Sequence, residues 1–282
     1  MQNADHQAYL AALQWHIDQG IDEILELEPV TNRLEVVKVP AHVPEAELKT
    51  RERPILQSPS QTPAQANVAT GLQKLKDQAR ELAAKADTLE DLAKAIQGFD
   101  GLDIKKTATN FVFSDGYPNA KVMLVGEAPG ADEDRLGKPF VGVSGQLLDK
   151  ILACIGLDRT SEDPKTGIYI SNILNWRPPG NRTPTPQEME IALPFIEKHI
   201  ALADPEFLIL SGGVAAKTVL HSGESISKLR GTAHTFAPKT LEISKKIPVV
   251  ATYHPSYLLR TPSQKAKVWQ DMLFLQSLRL SL

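Results

Sequence analysis

Short, mainly apolar runs recur along the second half of the chain, and most of their residues do not alternate between polar and apolar. Such runs are typical of strands buried on both faces of a parallel sheet. Ahead of them, alternation from Thr107 to Phe113 predicts one more extended strand. The predicted strands are 107–113, 122–125, 168–174, 207–210 and 248–252, and residues 241–243 are predicted to pair with the last of them as a hairpin.

Helical spacing, with apolar residues every three or four positions, fills most of the sequence between these runs. The clearest helix start is 185–188, Thr-Pro-Gln-Glu, which supplies an N-cap, a first-turn proline and the glutamate of a capping box. Strands that alternate with helices favour an α/β domain with right-handed crossovers. The predicted helices are 70–86, 88–98, 144–155, 185–199, 213–220 and 263–280.

The composition changes before residue 68. Residues 1–28 include a short amphipathic pattern between His6 and Asp18 and are predicted to form an N-terminal helical segment. Residues 29–67 are rich in proline, serine and glutamine and cannot bury enough apolar surface to offset the entropy of ordering. We therefore expect a flexible linker at 29–67 and one folded domain at 68–282, with its core at about 100–282.

The composition indicates a protein with a folded core and no membrane span, but it does not identify a binding partner. With 42% apolar residues in 282, the chain can bury a sizeable core, and no apolar run reaches the length of a membrane span. The start lacks a secretory signal, so we expect a cytoplasmic protein. The net charge is −3, yet residues 121–282 hold 19 Lys and Arg against 16 Asp and Glu, so the overall charge does not decide whether nucleic acid binds.

The loop after the first long strand carries a concentration of acidic residues. Glu127 directly follows Gly126 at the strand end, and Glu133 lies a few residues further on. Ligands of open α/β sheets bind beyond the carboxyl ends of the strands, so a carboxylate here is a candidate functional group. The loop has neither the Gly-Lys-Ser/Thr of a P-loop nor Rossmann glycine spacing, which argues against nucleotide binding.

Three strand-end loops together carry chemistry suited to a base that has left the DNA stack. Phe140 follows the acidic loop, Asn172 ends a strand, and His254 follows the last strand. An aromatic face can stack on a planar ring, a carboxamide can pair with the base edge, and a histidine can donate to a carbonyl oxygen that gains charge. Each residue alone is weak; the combination predicts excision of a flipped base.

Four separated segments of the chain have distinctive sequences. They are 125–130 (VGEAPG), 137–142 (GKPFVG), 170–182, which contains RPPGNR, and 254–259 (HPSYLL). In this order they resemble the motifs of family 4 uracil-DNA glycosylases. The resemblance covers roughly residue 100 to the C-terminus and leaves residues 1–70 outside. It implies a three-layer α/β/α sandwich around a mainly parallel, four-stranded sheet, and an enzyme that hydrolyses the N-glycosidic bond of uracil in DNA.

By this resemblance, Phe140 and Asn172 would recognise uracil, and Gly126 and Glu127 would complete the set of base-binding residues. The ring of Phe140 would stack on the extruded base. The Asn172 amide would accept from uracil N3–H and donate to O4, a pattern that cytosine cannot match. Mismatched polar groups in a buried site are costly, so such a site discriminates strongly.

The resemblance also implies the catalytic roles. His254 would hydrogen-bond uracil O2 and stabilise the departing anion. Glu127 is the candidate to orient the water or to offset charge on the sugar, and Glu133 is the second candidate. The sequence does not rank the two acids.

The sequence departs from the family at its metal centre. Family 4 members typically hold a four-iron, four-sulfur cluster on four cysteines. The corresponding positions here are about Leu102, Lys105, Trp176 and Ala192. The single cysteine, Cys154, lies on the predicted helix 144–155, where we expect a buried, inert thiol. We therefore expect no metal and no cofactor, with apolar packing around Trp176 in place of the cluster.

Contacts with DNA are expected at the same strand-end face. Phosphate contacts are independent of sequence and come from polar or cationic side chains, here Arg177, Asn181, Arg182 and Arg260. Leu258 and Leu259 are candidates to wedge into the gap left by the base, with core packing as the open alternative. The expected partner is uracil-containing DNA, single- or double-stranded, with no membrane, and the protein is expected to be a monomer.

Two other functions remain as alternatives. A variant that attaches covalently to DNA is disfavoured, since related proteins of that kind carry a histidine-bearing loop near 176–184 and this chain has no histidine there. A non-catalytic, uracil-sensing module is disfavoured because Glu127, Asn172 and His254 are all present. Turnover on a uracil-containing strand distinguishes these functions.

Overall fold

The computed structural model describes residues 63–280, with side chains described from residue 70 onward. Residues 67–282 form one compact unit. The predicted helical segment 1–28 and most of the predicted linker lie outside the described residues. None of the described helices combines the length and apolar character needed to cross a membrane.

A six-stranded sheet forms the centre of the described part of the chain. Its strands are β1 (Ser114–Gly116), β2 (Val122–Gly126), β3 (Tyr169–Asn172), β4 (Phe207–Ser211), β5 (Ala233–Phe236) and β6 (Ile247–Thr252). They lie in the order β1-β3-β2-β4-β6-β5. The inner four strands run parallel, whereas β1 and β5 are antiparallel edges. The parallel four confirm the predicted runs, and the two short edges correct the expected strand number from four to six.

Nine α-helices are present among the described residues, and three short 3₁₀ turns at 103–106, 179–181 and 262–264 accompany them. Thr88 caps the helix Leu89–Gly98, and the predicted capping box of Thr185 and Glu188 opens the helix Pro186–Ala203. The helices are α1 (Pro63–Lys85), α2 (Leu89–Gly98), α3 (Ala131–Leu136), α4 (Val143–Ala153), α5 (Pro186–Ala203), α6 (Gly213–Leu220), α7 (Ile226–Leu229), α8 (Pro255–Arg260) and α9 (Lys265–Leu280).

The two faces of the sheet bury separate apolar clusters, because successive side chains of a strand point to opposite sides. In β2, Met123 and Val125 belong to the cluster under α1, α2, α5 and α6. Val122 and Leu124 belong to the cluster under α4 and α9. Helices therefore cover both faces, which confirms the three-layer α/β/α sandwich.

The predictions of two strands are wrong, because carboxylate side chains accept hydrogen bonds from the backbone amides that these strands would offer to the sheet. Asp134 Oδ1 accepts from the amides of Thr109 and Asn110, so the segment 107–113 cannot offer those groups to a sheet. The buried carboxylate of Glu197 accepts from the amides of Lys239 and Thr240, which holds the approach to 241–243 in a loop. The hairpin partner of β6 is instead β5.

Two further differences concern helix boundaries. Helix α1 begins at Pro63, so the last residues of the predicted linker are helical; proline is favoured in the first turn, and Ala64, Gln65 and Ala66 favour a helix. Cys154 is exposed, which corrects the expected buried thiol. It lies just beyond the end of α4, where the chain leaves the core-facing spacing of Leu148 and Leu152.

Candidate active site

A pocket of about 690 Å³ opens at the carboxyl ends of the parallel strands. The loops after β2, β3, β4 and β6 all reach it, as expected for an open α/β sheet. Four of the five predicted uracil-binding residues, Glu127, Phe140, Asn172 and His254, line this one cavity, and so does Glu133. The fold therefore brings together residues that are up to 127 positions apart in the sequence.

Asn172 is the last residue of β3, and its side chain is 3% exposed. Its Oδ1 has no hydrogen-bond partner among the described residues. A buried acceptor without a partner costs free energy. This oxygen is therefore available to accept a hydrogen bond from a molecule bound in the pocket. Gly126 makes room for it, because a β-carbon at that position would lie 2.4 Å from Asn172 Oδ1.

The aromatic ring of Phe140 forms one wall of the pocket and is buried. It stacks with the imidazole of His254, with ring centroids 5.3 Å apart and an interplanar angle of 29°. A β-carbon on Gly126 would also lie 2.6 Å from the tip of the Phe140 ring. Gly126 thus lets the amide of Asn172 and the ring of Phe140 approach the same point.

His254 caps the N-terminus of α8, and this contact fixes the tautomer of its ring. The backbone N–H of Ser256 donates to His254 Nδ1 at 3.1 Å, so Nδ1 acts as the acceptor. Burial lowers the pKa of the imidazole to about 4, although Glu133 nearby opposes that shift. At neutral pH the ring is therefore neutral, with its proton on Nε2, for which the described residues offer no hydrogen-bond partner.

The two candidate acids have different surroundings. Both oxygens of the Glu133 carboxylate are occupied: Oε2 accepts from the Gly130 amide at 3.1 Å, and Oε1 accepts from the Val141 and Gly142 amides at 2.9 Å. Glu127 is half-buried, and no described residue hydrogen-bonds its carboxylate. Burial raises the pKa of the Glu127 carboxyl above its ordinary value. The geometry therefore favours Glu127 over Glu133 as the acid that can hold a water.

Of the three predicted DNA contacts on α8, two are exposed and one is buried. Arg260 is exposed at the rim, and Leu259 is 45% exposed, so both can reach a bound strand. Leu258 is 0% exposed and packs in the apolar cluster under α4 and α9, so its predicted role as a wedge is wrong. Adjacent residues on a helix point in different directions, and Leu258 faces the core.

The polar residues after β3 lie at the opposite rim. Asn181 and Arg182 line the pocket, while Arg177 donates to Asn181 Oδ1 at 2.6 Å. The guanidinium of Arg182 is bidentate to the carboxylate of Glu188, which offsets its charge. Their contact with DNA stays a prediction.

Sequence reasoning missed part of the lining. Gly212, Gly213 and Lys217 come from the loop and helix after β4, and Ser256 and Tyr257 follow His254. The strand-end rule applied to β4 indicates Gly212 and Gly213, since Ser-Gly-Gly directly follows an apolar run, but it does not indicate Lys217 inside the following helix. Ser256 and Tyr257 lie in the segment 254–259 that resembles a family motif, but the sequence assigned them no role.

The positions assigned to cluster cysteines are packed against one another and against neighbouring side chains. Leu102, Trp176 and Ala192 are buried in one apolar cluster, and Trp176 contacts Phe111 with ring centroids 5.3 Å apart. Lys105 Nζ lies 5.9 Å from the Trp176 ring and donates to the backbone carbonyl of Gln97. These side chains do not fit a four-iron, four-sulfur cluster, since three lack ligand atoms. Among the described residues, no group of three or more His, Cys, Asp or Glu is placed to hold a metal ion.

The pocket combines a stacking ring, an unpartnered amide oxygen and a neutral imidazole donor, and this set suits a planar, polar base. Residues 113–273 match the family model of the uracil DNA glycosylase superfamily. The chain belongs to this superfamily, which confirms the family resemblance of its motifs.

Similar proteins within the superfamily are type-4 uracil-DNA glycosylases. The one from Archaeoglobus fulgidus is 35% identical over 189 residues, which is 66% of this chain and 90% of that protein. The one from Sulfurisphaera tokodaii is 32% identical over 200 residues, covering 69% of this chain and 86% of that protein. The one from Thermotoga maritima is 33% identical over 184 residues, covering 65% and 89%.

Proposed function

We propose that this protein hydrolyses the N-glycosidic bond of uracil in DNA, releasing free uracil and leaving an abasic site. The observation that carries the proposal is the buried, unpartnered Oδ1 of Asn172 beside the ring of Phe140 and the neutral imidazole of His254. The names of the similar proteins support the same activity.

Base recognition follows from the Asn172 amide. Its Oδ1 accepts from N3–H of uracil, and its Nδ2 donates to O4. Cytosine places an acceptor at N3 and a donor at N4, so both contacts would oppose like groups. Leaving two buried polar groups unpaired is the mechanism by which such pockets reject an analogue.

Bond cleavage uses the two remaining side chains. As the C1′–N1 bond breaks, negative charge develops on uracil O2, and the Nε2–H of His254 stabilises that charge by a hydrogen bond. A water molecule adds to C1′, and Glu127 orients it and accepts its proton. Because burial raises the pKa of the Glu127 carboxyl, the carboxylate is a better base than an exposed one.

The DNA would lie across the pocket mouth, with its phosphates near Lys217 and Arg260, which line the pocket after β4 and β6, and near Arg182, which lines it after β3. Arg177 contacts the lining residue Asn181 and would also lie near the phosphates. Leu259 is the remaining candidate to fill the gap left by the extruded nucleotide. We also propose that the protein acts as a cytoplasmic monomer, with its catalytic domain at residues 68–282, and that it needs no cofactor.

The direct test is release of uracil from oligonucleotides that contain one uracil, in single strands and opposite guanine or adenine. Matched oligonucleotides with cytosine or thymine at the same position are the controls. We expect free uracil and an alkali-labile site from the uracil substrates alone. Tight binding of uracil DNA without release would favour the sensing module, and a protein–DNA adduct stable to denaturant would favour the covalent variant.

A further inference from the structure

The backbone at Phe140 adopts a conformation that its side chain does not favour. Its φ is 53°, in the left-handed region, where a β-carbon crowds the following carbonyl. Such a conformation persists where the surrounding structure fixes it. The groups that fix Phe140 therefore also fix the ring on which the base would stack.

Arg159 holds the carbonyl side of this residue. Its Nη1 donates to the Pro139 carbonyl at 3.0 Å, and its Nη2 donates to the Phe140 carbonyl at 2.9 Å. The guanidinium is itself held by two carboxylates, since it lies 3.3 Å from Asp115 Oδ2 and 2.7 Å from Asp149 Oδ1. The Arg159 side chain is 12% exposed and lies outside the lining of the active-site pocket.

Glu133 hydrogen-bonds the backbone amides that follow Phe140. Its Oε1 accepts from the amides of Val141 and Gly142, the two residues that follow Phe140. Helix α4 closes the remaining side, because a β-carbon at Gly145 would lie 1.9 Å from the Phe140 carbonyl oxygen. Arg159 and Glu133, two charged side chains from separate segments, thus hydrogen-bond the consecutive peptide groups on either side of Phe140.

We propose that Arg159 and Glu133 are positioning residues that clamp Phe140 in its left-handed conformation and so set the rate of uracil excision through its ring. This inference rests on the proposed function. Arg159 does not serve as a DNA contact in this proposal, because two carboxylates already neutralise it. Glu133 does not activate water, because three backbone amides occupy its oxygens.

A double-mutant cycle tests the clamp. Arg159→Met removes both carbonyl contacts, and Arg159→Lys keeps the charge with a single donor group in place of the guanidinium fork. We expect single-turnover rates on uracil DNA to fall about ten- to a hundredfold in Arg159→Met and less in Arg159→Lys, since small displacements near reacting groups have effects of this size. In a Phe140→Leu background, Arg159→Met should change the remaining rate by less than about twofold, because the ring that it positions is gone.

Glu133→Gln is the second substitution of the test. It distinguishes a Glu133 that positions Phe140 from a Glu133 that activates water. If Glu133 acts through Phe140, its effect disappears in the Phe140→Leu background; if it activates water, the full effect persists there. Persistence would overturn the clamp for Glu133. Arg159 effects that multiply with those of Phe140→Leu would overturn it for Arg159.

Arg279→Met is the matched control, because Arg279 also donates to two backbone carbonyls, those of Ile155 and Lys165, but does not contact Phe140. We expect its rate to equal that of the wild type, with thermal unfolding recorded for every variant to confirm folding. Failure of the wild type to release uracil would refute the proposed function itself. Wild-type activity with unaffected Arg159 variants would refute the clamp alone.

Discussion

At the scale of single residues, we expect Asn172 to determine which base is accepted. Asn172→Asp keeps an acceptor for N3–H but loses the donor to O4 and places a carboxylate in a buried position. We expect uracil excision to fall about 10²-fold or more, equivalent to a few kcal/mol of transition-state stabilisation. Single-turnover assays on uracil and cytosine substrates measure this, and an unchanged rate would remove Asn172 from the site.

His254 should affect chemistry more than binding. Its hydrogen bond strengthens as charge develops on O2, so His254→Ala should lower the rate at saturating enzyme much more than it lowers affinity for DNA. Single-turnover kinetics beside a binding titration separate these effects. Collapse of binding with a normal rate at saturation would make His254 a docking residue.

A third residue-scale prediction concerns acid. His199 is buried between Tyr169 and Phe113, and burial lowers its pKa to about 3, far below the ordinary value of 6.5. The unfolded state then binds a proton that the folded state does not, so the free energy of unfolding should fall as pH drops below about 6.5. Urea unfolding between pH 7.5 and 5 measures this. His199→Gln should show a slope smaller by up to about 1.4 kcal/mol per pH unit, and an equal slope would contradict the assignment.

At the scale of elements, Trp176 ties the loop after β3 to the helical layer. The indole is 4% exposed, contacts the tilted ring of Phe111 and lies under Lys105. Trp176→Ala should therefore lower the free energy of unfolding by about 3–5 kcal/mol. The matched control is Trp269→Ala on α9, where the side chain is 42% exposed and the cost should be under about 1 kcal/mol. Similar costs for both variants would argue against the proposed packing role.

At the scale of the whole molecule, the protein should fold and act without iron. Leu102 and Ala192 offer no ligand atoms, and Lys105 Nζ is engaged by Asp100 and by backbone carbonyls. We expect the purified protein to be colourless, to contain no stoichiometric iron by elemental analysis, and to keep its activity in the presence of chelators and oxidants. Cys154→Ser should leave activity unchanged, because this thiol is exposed and outside the pocket. Several irons per chain, or loss of activity on bleaching, would overturn the proposal.

The sequence by itself determined the class of fold and the position of the site. Apolar runs placed β2, β3, β4 and β6, and parallel strands bring their carboxyl ends to one edge of a sheet. Residues at or just beyond the ends of those strands, such as Glu127, Asn172 and His254, therefore had to meet. The family motifs lie on the same strand ends, so local pattern and function coincide there.

The tertiary structure alone decided what depends on contacts between distant segments. The edge strands β1 (SDG) and β5 (AHTF) are short and lie outside any apolar run, so the sequence does not mark them as strands. The amides of Thr109 and Lys239 are hydrogen-bonded by carboxylates from distant helices. The ranking of Glu127 above Glu133 came from three backbone amides, and the loss of Leu258 as a wedge came from the direction in which α8 faces. A sequence lists donors, acceptors and apolar groups, but which of them satisfy each other is settled when the chain packs, because each buried polar group must find its partner in three dimensions.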